Sequence, residues 1–253
     1  MADKPIIFSA PMVQALLDGR KVQTRRTVQN LTFDPISQMW RFGGVNSALL
    51  FRSEDQVKSR TDGVVSAKAA AYRKGDRLWC RENWQTHCDM DHITPRDLPH
   101  DAAVQYPATY DGWVSRVRPS IHMPRWASRL TLIVTDVRVE RLQDISEADA
   151  QAEGIIYQPP TEDDLKWYEA YAEEHCFDPV KDPMSGVWIA PGTRQGFAPR
   201  PNDPQWGPTA SFAFRCLWDS INGPDAWAQN PFVYAITFTV HKSNIDALKA
   251  EAA

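Results

Sequence analysis

The chain has 253 residues, enough to bury a substantial core as one large domain or two small ones. Its net charge of -4 excludes a general polyanion binder, so any nucleic-acid face must be local. Four scattered cysteines exclude a disulfide framework, and no segment approaches the roughly 18 apolar residues of a membrane span. Because the first residues also lack a signal-peptide pattern, we expect a cytoplasmic protein of a bacterium or of a phage-infected host.

The first predicted helix spans residues 9–17. Ser9 can cap its start, Pro11 is tolerated in the first turn, and Gly19 suits the left-handed residue that ends it. Its apolar residues recur on one side, which predicts a buried face. A packed helix therefore ends just before Lys21 and can aim this side chain.

A cationic run follows the helix. It holds four cations, a hydroxyl and an amide: Arg20, Lys21, Gln23, Thr24, Arg25 and Arg26. A strand at 24–28 would place Thr24 and Arg26 on one face. Lys21 joins that face only if residues 20–22 turn or the helix continues, and the sequence leaves this open. The alternative is a solvated basic loop.

Residues 77–82 predict a second informative strand. Alternation places Leu78, Cys80 and Glu82 on one face, which makes Glu82 an inward carboxylate at the strand end. Such a group should pair with a cation or be partly protonated. Lys21 is the expected partner. Equally weighted is a structural role in which Glu82 neutralises an arginine such as Arg26 or Arg81.

Residues 112–135 contain no acidic residue and mix cations with tryptophans. Phosphates need cations and bases need flat apolar partners, so the pattern favours nucleic-acid contact over a solvent-facing strand. The residues predicted to contact nucleic acid, here and in the cationic run, are Arg20, Arg25, Arg26, Arg116, Arg118, Arg125, Trp126 and Arg129.

The remaining elements complete a mixed α+β chain. In the strand predicted at 129–140 the apolar parity switches near Thr135, which predicts a bulge or a bend, as in a strand that wraps a small barrel. A helix is predicted at 210–221 and a cleanly alternating strand at 232–240. Segments 31–70 and 155–208 appear as insertions, and the second either shapes substrate access or is inert.

Several blocks of the chain resemble the ASCH domain family, which is related to PUA-like RNA-binding barrels. Gly19, Lys21, Thr24 and Arg26 match its G-x-K-x-x-T-x-R pattern, and the closest resemblance is to long phage-type members. Further similar blocks are 75–82, 123–129 and the C-terminal helix and strand. The resemblance implies one α+β domain over 1–253: a small PUA-like β-barrel with flanking helices and insertions at about 31–70 and 155–208.

The resemblance also implies a chemistry. Small bacterial ASCH proteins that remove acetyl from N4-acetylcytidine use a lysine, a threonine and a glutamate, which fall on Lys21, Thr24 and Glu82. Threonine needs a base to become a nucleophile, and a carboxyl can carry a proton to the leaving amine. The partner would be a nucleoside or a nucleic acid, RNA being favoured over DNA.

Two other functions stay open. The first is a PUA-like module that binds RNA or DNA without catalysis, and the second, ranked last because no histidine pair supports it, is a ribonuclease. No cofactor and no metal are expected, because the His87-Cys88 and His175-Cys176 pairs lack the spacer of common zinc sites.

Overall fold

The computed structural model describes residues 2–43, 48–68, 70–110, 112, 115–175, 186–192 and 209–248. Two compact units are present, unit 1 being Met1–Leu142 with Pro231–Ala253 and unit 2 being Gln143–Asn230. The strands of unit 1 are β1 (Asp3–Ile7), β2 (Gln23–Thr27), β3 (Leu31–Asp34), β4 (Met39–Phe42), β5 (Leu49–Phe51), β6 (Arg77–Arg81), β7 (Thr131–Arg141) and β10 (Phe232–His241), and its helices are α1 (Ala10–Leu17) and α2 (Glu54–Lys58). Unit 2 holds α3 (Glu147–Ala152), β8 (Ile156–Gln158), α4 (Glu162–His175), β9 (Val187–Ile189) and α5 (Ala210–Asn222). The α+β class expected from the sequence is confirmed.

The main sheet of unit 1 has the order β1-β6-β7-β10-β2. β1 runs parallel to β6, and the other three pairings are antiparallel. Among the described residues no backbone pairing joins the edge strands β1 and β2, so a closed barrel is not seen. A side chain links these edges instead, because Arg26 Nη2 donates to the Ile7 carbonyl oxygen at 2.7 Å.

A bulge interrupts β7 where the sequence predicts one. Asp136 of β7 pairs with Thr237 of β10, but the next residue of β10, Phe238, pairs with Val134. Thr135 is therefore the extra residue of β7. Thr135 is exposed, whereas Val134 and Val137 on either side are buried. The extra residue lets one strand turn apolar side chains of both parities toward the core.

Helix α1 fixes the start of the cationic run. Its buried face is Met12, Val13, Ala15 and Leu16, and Gly19 follows with φ of +74°. The expected Ser9 cap is wrong in one respect, since the Ser9 side chain makes no capping hydrogen bond. Arg20 and Lys21 both donate their N–H groups to the Ala15 carbonyl at 3.0 Å. The chain therefore turns at residues 20–21 before β2 begins.

The predicted insertion at 31–70 forms an antiparallel three-stranded sheet, β3-β4-β5, followed by α2. Within unit 1, Trp40 of β4 packs edge-on against Phe232 of β10, with ring centroids 5.1 Å apart. The Arg141 guanidinium lies 4.1 Å from the Phe232 ring centroid and 5.1 Å from that of Trp40. Aromatic and cation–π contacts therefore hold this small sheet against the main one.

The end of the chain ties down the loop before β7. Asn244 Nδ2 lies within hydrogen-bond distance of three carbonyl oxygens, those of Arg125 at 2.9 Å, Trp126 at 3.1 Å and Ser128 at 2.7 Å. Ile245 is fully buried next to it. Residues 125–128 are thus held from a position more than a hundred residues downstream.

Unit 2 is organised by helix caps. Ser146 caps α3 by accepting the Asp149 N–H, and Thr209 caps α5 by accepting the Phe212 N–H. The Glu147 carboxylate also accepts the Ala210 N–H at 2.7 Å, so a charge stabilises the α5 N-terminus. None of the described helices of the chain has the length and apolar character needed to cross a bilayer.

Candidate functional site

The centre of the candidate site is an ion pair between Glu82 and Arg129. Arg129 Nε and Nη2 donate to the two carboxylate oxygens at 2.9 Å each, a bidentate arrangement. Glu82 follows β6 and is 1% exposed, which confirms its prediction as an inward carboxylate. Arg129 takes the place expected for Lys21 and, in the alternative, for Arg26 or Arg81. Arg129 was predicted only to contact nucleic acid, and the structure also shows it as the ion-pair partner of Glu82.

Arg129 is itself held on two further sides. Its guanidinium lies 4.0 Å from the Tyr106 ring centroid, and Nη1 donates to Thr109 Oγ1 at 2.9 Å. The turn that carries Thr109 is anchored to α1, because Gln14 Nε2 donates to the Ala108 carbonyl at 2.7 Å. The helix that precedes the cationic run thus also positions the partner of Glu82.

Burial raises the pKa of two groups in this cluster, Glu82 and Tyr106. It raises the pKa of Glu82 above the ordinary value of 4.5, while the Arg129 guanidinium opposes the rise. Burial also raises the pKa of Tyr106 to about 12, so its phenol stays protonated and donates to the Ala127 carbonyl at 2.8 Å. The Glu82 N–H faces Met123 Sδ at 3.4 Å. Glu82 is therefore a carboxylate in a largely apolar surrounding with one strong cationic partner.

Lys21 is buried beside Phe8. Its side chain is among the largest fully buried ones, with 1% exposure, and Nζ lies 5.8 Å from the Phe8 ring centroid. The Arg26 guanidinium lies 5.2 Å from the same ring. Thr24 and Arg26 alternate onto one face of β2, and Lys21 and Arg26 share Phe8 as a neighbour.

Backbone and electrostatic contacts relate this group to Glu82. The Phe8 N–H donates to the Arg81 carbonyl, directly before Glu82. The pKa of the buried Cys80 thiol is raised by burial and by Glu82 and lowered by Arg26, so both charges act on one thiol. Phe8 and Cys80 are therefore the common neighbours of the Lys21–Arg26 side and the Glu82–Arg129 side.

Thr24 lies on the face of β2 that also carries Arg26. It pairs with Ile236 of β10 and is 4% exposed, while the pair two residues along joins Arg26 to Tyr234. A buried hydroxyl beside an apolar cross-strand neighbour is shielded from water. That environment suits a nucleophile whose proton must go to a specific base rather than to solvent.

Arg20 and Arg25 lie outside this group. Arg25 points to the other face of β2, where it donates to Glu140 Oε1 and Gln23 Oε1, each at 2.7 Å. Arg20 pairs with Asp18 at 2.8 Å near the surface. Their predicted role in binding a ligand gains no support from these positions, because each guanidinium has a carboxylate partner within the chain.

The predicted nucleic-acid segment is dispersed in the structure. Arg116 is exposed, but Arg118 is 5% exposed and donates to the carbonyls of Ile93 at 2.9 Å and Met90 at 2.7 Å. The Arg118 guanidinium also lies 5.4 Å from the Trp84 ring centroid. Arg118 therefore holds its loop together and is removed from the proposed contact surface.

Arg125 and Trp126 have internal partners as well. Arg125 Nη2 bridges Asp3 at 2.6 Å and Asp246 at 2.7 Å, which ties the chain ends to the loop. Trp126 stacks on His100, with ring centroids 5.7 Å apart and planes at 25°. The segment is rich in cations, as the sequence analysis noted. Most of these cations, however, pair with carbonyls and carboxylates of residues distant in the sequence.

A cavity of about 390 Å³ lies next to the site, on the side of β2 that carries Arg26. Its main lining residues are Arg26, Gln29, Asn30, Phe42, Tyr72 and Tyr234. Sequence reasoning missed it. Its walls come from β2, β4, β10 and the segment before β6, and no local pattern indicates that these meet.

One group of ligating side chains lies away from the cluster. His87, Cys88 and Asp89 are exposed, and their ligand atoms lie within 4.8 Å of one another. Cys88 and the buried Cys80 are thiols. Three consecutive exposed residues leave the coordination of an ion to water, unlike the closed shell of a structural zinc site.

Comparisons of the chain with protein-family models, with curated proteins and with solved structures found no match. The resemblance to ASCH proteins therefore remains a prediction that stands on the residues quoted for it.

Proposed function

We propose that the chain is an ASCH-type amidohydrolase with a PUA-like barrel architecture, acting on an N4-acylated cytidine, free or within RNA. Thr24 is the nucleophile, Lys21 the base and Glu82 the proton carrier. Arg129 is added as the residue that orients Glu82. Turn geometry after Gly19, the bulged β7 and the Arg26 link between the sheet edges support this architecture.

The chemistry proceeds in two steps. Thr24 Oγ1 attacks the acyl carbonyl carbon while its proton passes to the neutral amine of Lys21. The bond from the acyl carbon to N4 breaks, and Glu82 relays the proton taken up by Lys21 to the leaving amino group of cytidine, which returns Lys21 to its neutral form. Water then attacks the Thr24 ester, releases the carboxylic acid and restores the hydroxyl.

The observation that carries the proposal is the burial of two ionisable side chains, Lys21 and Glu82. Lys21 and Glu82 are each 1% exposed. Burying either group in its charged form costs several kcal/mol, in order of magnitude, before partners offset it. Buried ionisable groups are concentrated where a function needs shifted proton affinities. The raised pKa of Glu82 has the direction that a proton donor requires.

The test is turnover of N4-acetylcytidine and of short RNA containing it, with cytidine release followed by chromatography. Thr24→Val and Lys21→Met should each lower turnover by at least about 100-fold. Thr24→Val should leave the unfolding midpoint close to that of the unaltered protein, and turnover of Lys21→Met is measured per folded molecule because Lys21 is buried.

The matched control is Thr239→Val, an exposed threonine on β10, which should keep full turnover. Absence of turnover by the unaltered protein on both substrates would reject the hydrolase. Equal loss in Thr24→Val and Thr239→Val would reject the assignment of the nucleophile.

A non-catalytic binding module is the second candidate, and one contact favours it. Both oxygens of Glu82 are engaged by Arg129, which suits a fixed acceptor that reads an exocyclic amine. This candidate predicts that N4-acetylated and plain RNA differ in affinity without any turnover. Fluorescence anisotropy between about 50 and 200 mM salt measures the affinity for each RNA. Equal affinity for both RNAs would exclude recognition of the acetylated base.

A further inference from the structure

The cavity beside Arg26 has the size and lining of a ligand site. Its volume of about 390 Å³ falls within the range of small-molecule pockets, roughly 300–1,000 Å³. Phe42 and Tyr234 are 4% and 2% exposed and line its inner part. Tyr72 is partly exposed, and Gln29 and Asn30 are exposed, so the opening is polar.

The aromatic walls are held in fixed positions. Tyr72 and Tyr234 pack edge to face, with ring centroids 5.6 Å apart and planes at 76°. The Tyr234 hydroxyl accepts the Ala71 N–H at 3.4 Å, and burial raises the pKa of both phenols. Both rings therefore remain neutral near pH 7 and offer apolar faces and O–H donors to a ligand.

The charge of the cavity is positive. Arg26 lines it, and no acidic residue is among its lining residues, all of which belong to the described part of the chain. Arg26 gives one N–H to the Ile7 carbonyl. A guanidinium has five N–H donors, so Arg26 can hold an anion while it keeps that contact.

We propose that this cavity binds a planar aromatic ligand that carries one anionic group, with Tyr72 against the ring and Arg26 on the anion. Gln29 and Asn30 at the opening supply amide donors and acceptors to the polar edge of the ring. Two sources share this chemistry, a nucleoside monophosphate and an aromatic carboxylate. The proposal does not depend on hydrolysis at Thr24.

Calorimetric titration with uridine monophosphate, uridine and hydroxybenzoate tests the site on the full chain. The unaltered protein should bind at least one of the two anionic probes, and uridine monophosphate, if bound, more tightly than uridine. Tyr72→Ala should weaken binding about tenfold. Arg26→Gln should remove the preference for uridine monophosphate over uridine, a loss of about tenfold for the anion.

Tyr110→Ala and Arg60→Gln are the matched controls, because both side chains are exposed and outside the cavity lining. They should bind like the unaltered protein. If Arg26→Gln fails to fold, Tyr72→Ala still decides, since Tyr72 is a partly exposed wall residue. Binding of neither anionic probe, or equal binding by Tyr72→Ala and Tyr110→Ala, would overturn the proposal. The comparison of the two probes assigns the ligand class.

Discussion

Arg25 and Arg26 are neighbours in the sequence but lie on opposite faces of β2, and the two faces use arginine differently. On one face the side chain of Arg25 is fully buried and pairs with Glu140 at 2.7 Å. On the other face Arg26 is partly exposed, lies over Phe8 and lines a cavity. Arginine thus forms a buried ion pair on one face of the strand and lines the proposed ligand cavity on the other.

The largest expected effect comes from breaking the Arg25 side. Glu140→Gln removes the negative charge that lies 2.7 Å from the buried Arg25 guanidinium, which should lower the free energy of unfolding by about 3 kcal/mol. Urea unfolding measures this. Turnover per folded molecule should not change, because Glu140 lies on the opposite face from Thr24.

Arg138→Gln is the control for this prediction. Arg138 faces Glu140 at 3.7 Å but is 35% exposed, so its loss should cost well under 1 kcal/mol by comparison with other exposed pairs. If Glu140→Gln cost no more than Arg138→Gln, the buried pair would not be the stabilising feature of this face.

A smaller effect concerns how the free energy of unfolding depends on pH through Glu82, the partner of Arg129. The pKa of Glu82 is raised above 4.5 by burial, so the stability linked to its protonated form is complete below about pH 4.5 and is lost as pH rises through the raised value. Arg129→Gln removes the cation that opposes the rise. The loss of stability should therefore extend to higher pH in this variant.

Urea unfolding between about pH 4 and 8 follows this shift. The double variant Arg129→Gln with Glu82→Gln carries no titrating carboxyl at that position and should lose the added slope. Identical pH profiles for Arg129→Gln and the unaltered protein would show that Arg129 does not set the protonation of Glu82.

The smallest effect is expected at Arg20, whose partner Asp18 is 56% exposed. Arg20→Gln should change the free energy of unfolding by less than about 0.5 kcal/mol, as for other surface ion pairs. Binding to RNA at about 50 mM salt should also stay unchanged if the exposed end of the cationic run is not a contact surface. A marked loss of RNA binding would return Arg20 to the proposed interface.

Local patterns predicted the elements of the site but not its pairings. The parity switch in β7 predicted the bulge at Thr135, and alternation predicted that Glu82 is buried. Both depend only on neighbours along one strand. The helix before Lys21 and the left-handed Gly19 were predictable for the same reason.

Long-range partners explain what the sequence left out. Arg129 meets Glu82 from 47 residues away, where β7 begins after a loop that is folded back by Asn244. Residue types alone could not distinguish this partner from Lys21, Arg26 or Arg81. The same limit applies to Arg118, whose carbonyl acceptors lie 25 and 28 residues earlier.

The contacts of Asn244 have a practical consequence for handling the protein. The amide nitrogen of Asn244 lies within hydrogen-bond distance of three carbonyls in the four residues before Arg129, so the residues after the last strand act as a brace for the ion pair. A chain shortened before this asparagine would free that loop while leaving all five strands of the main sheet in place.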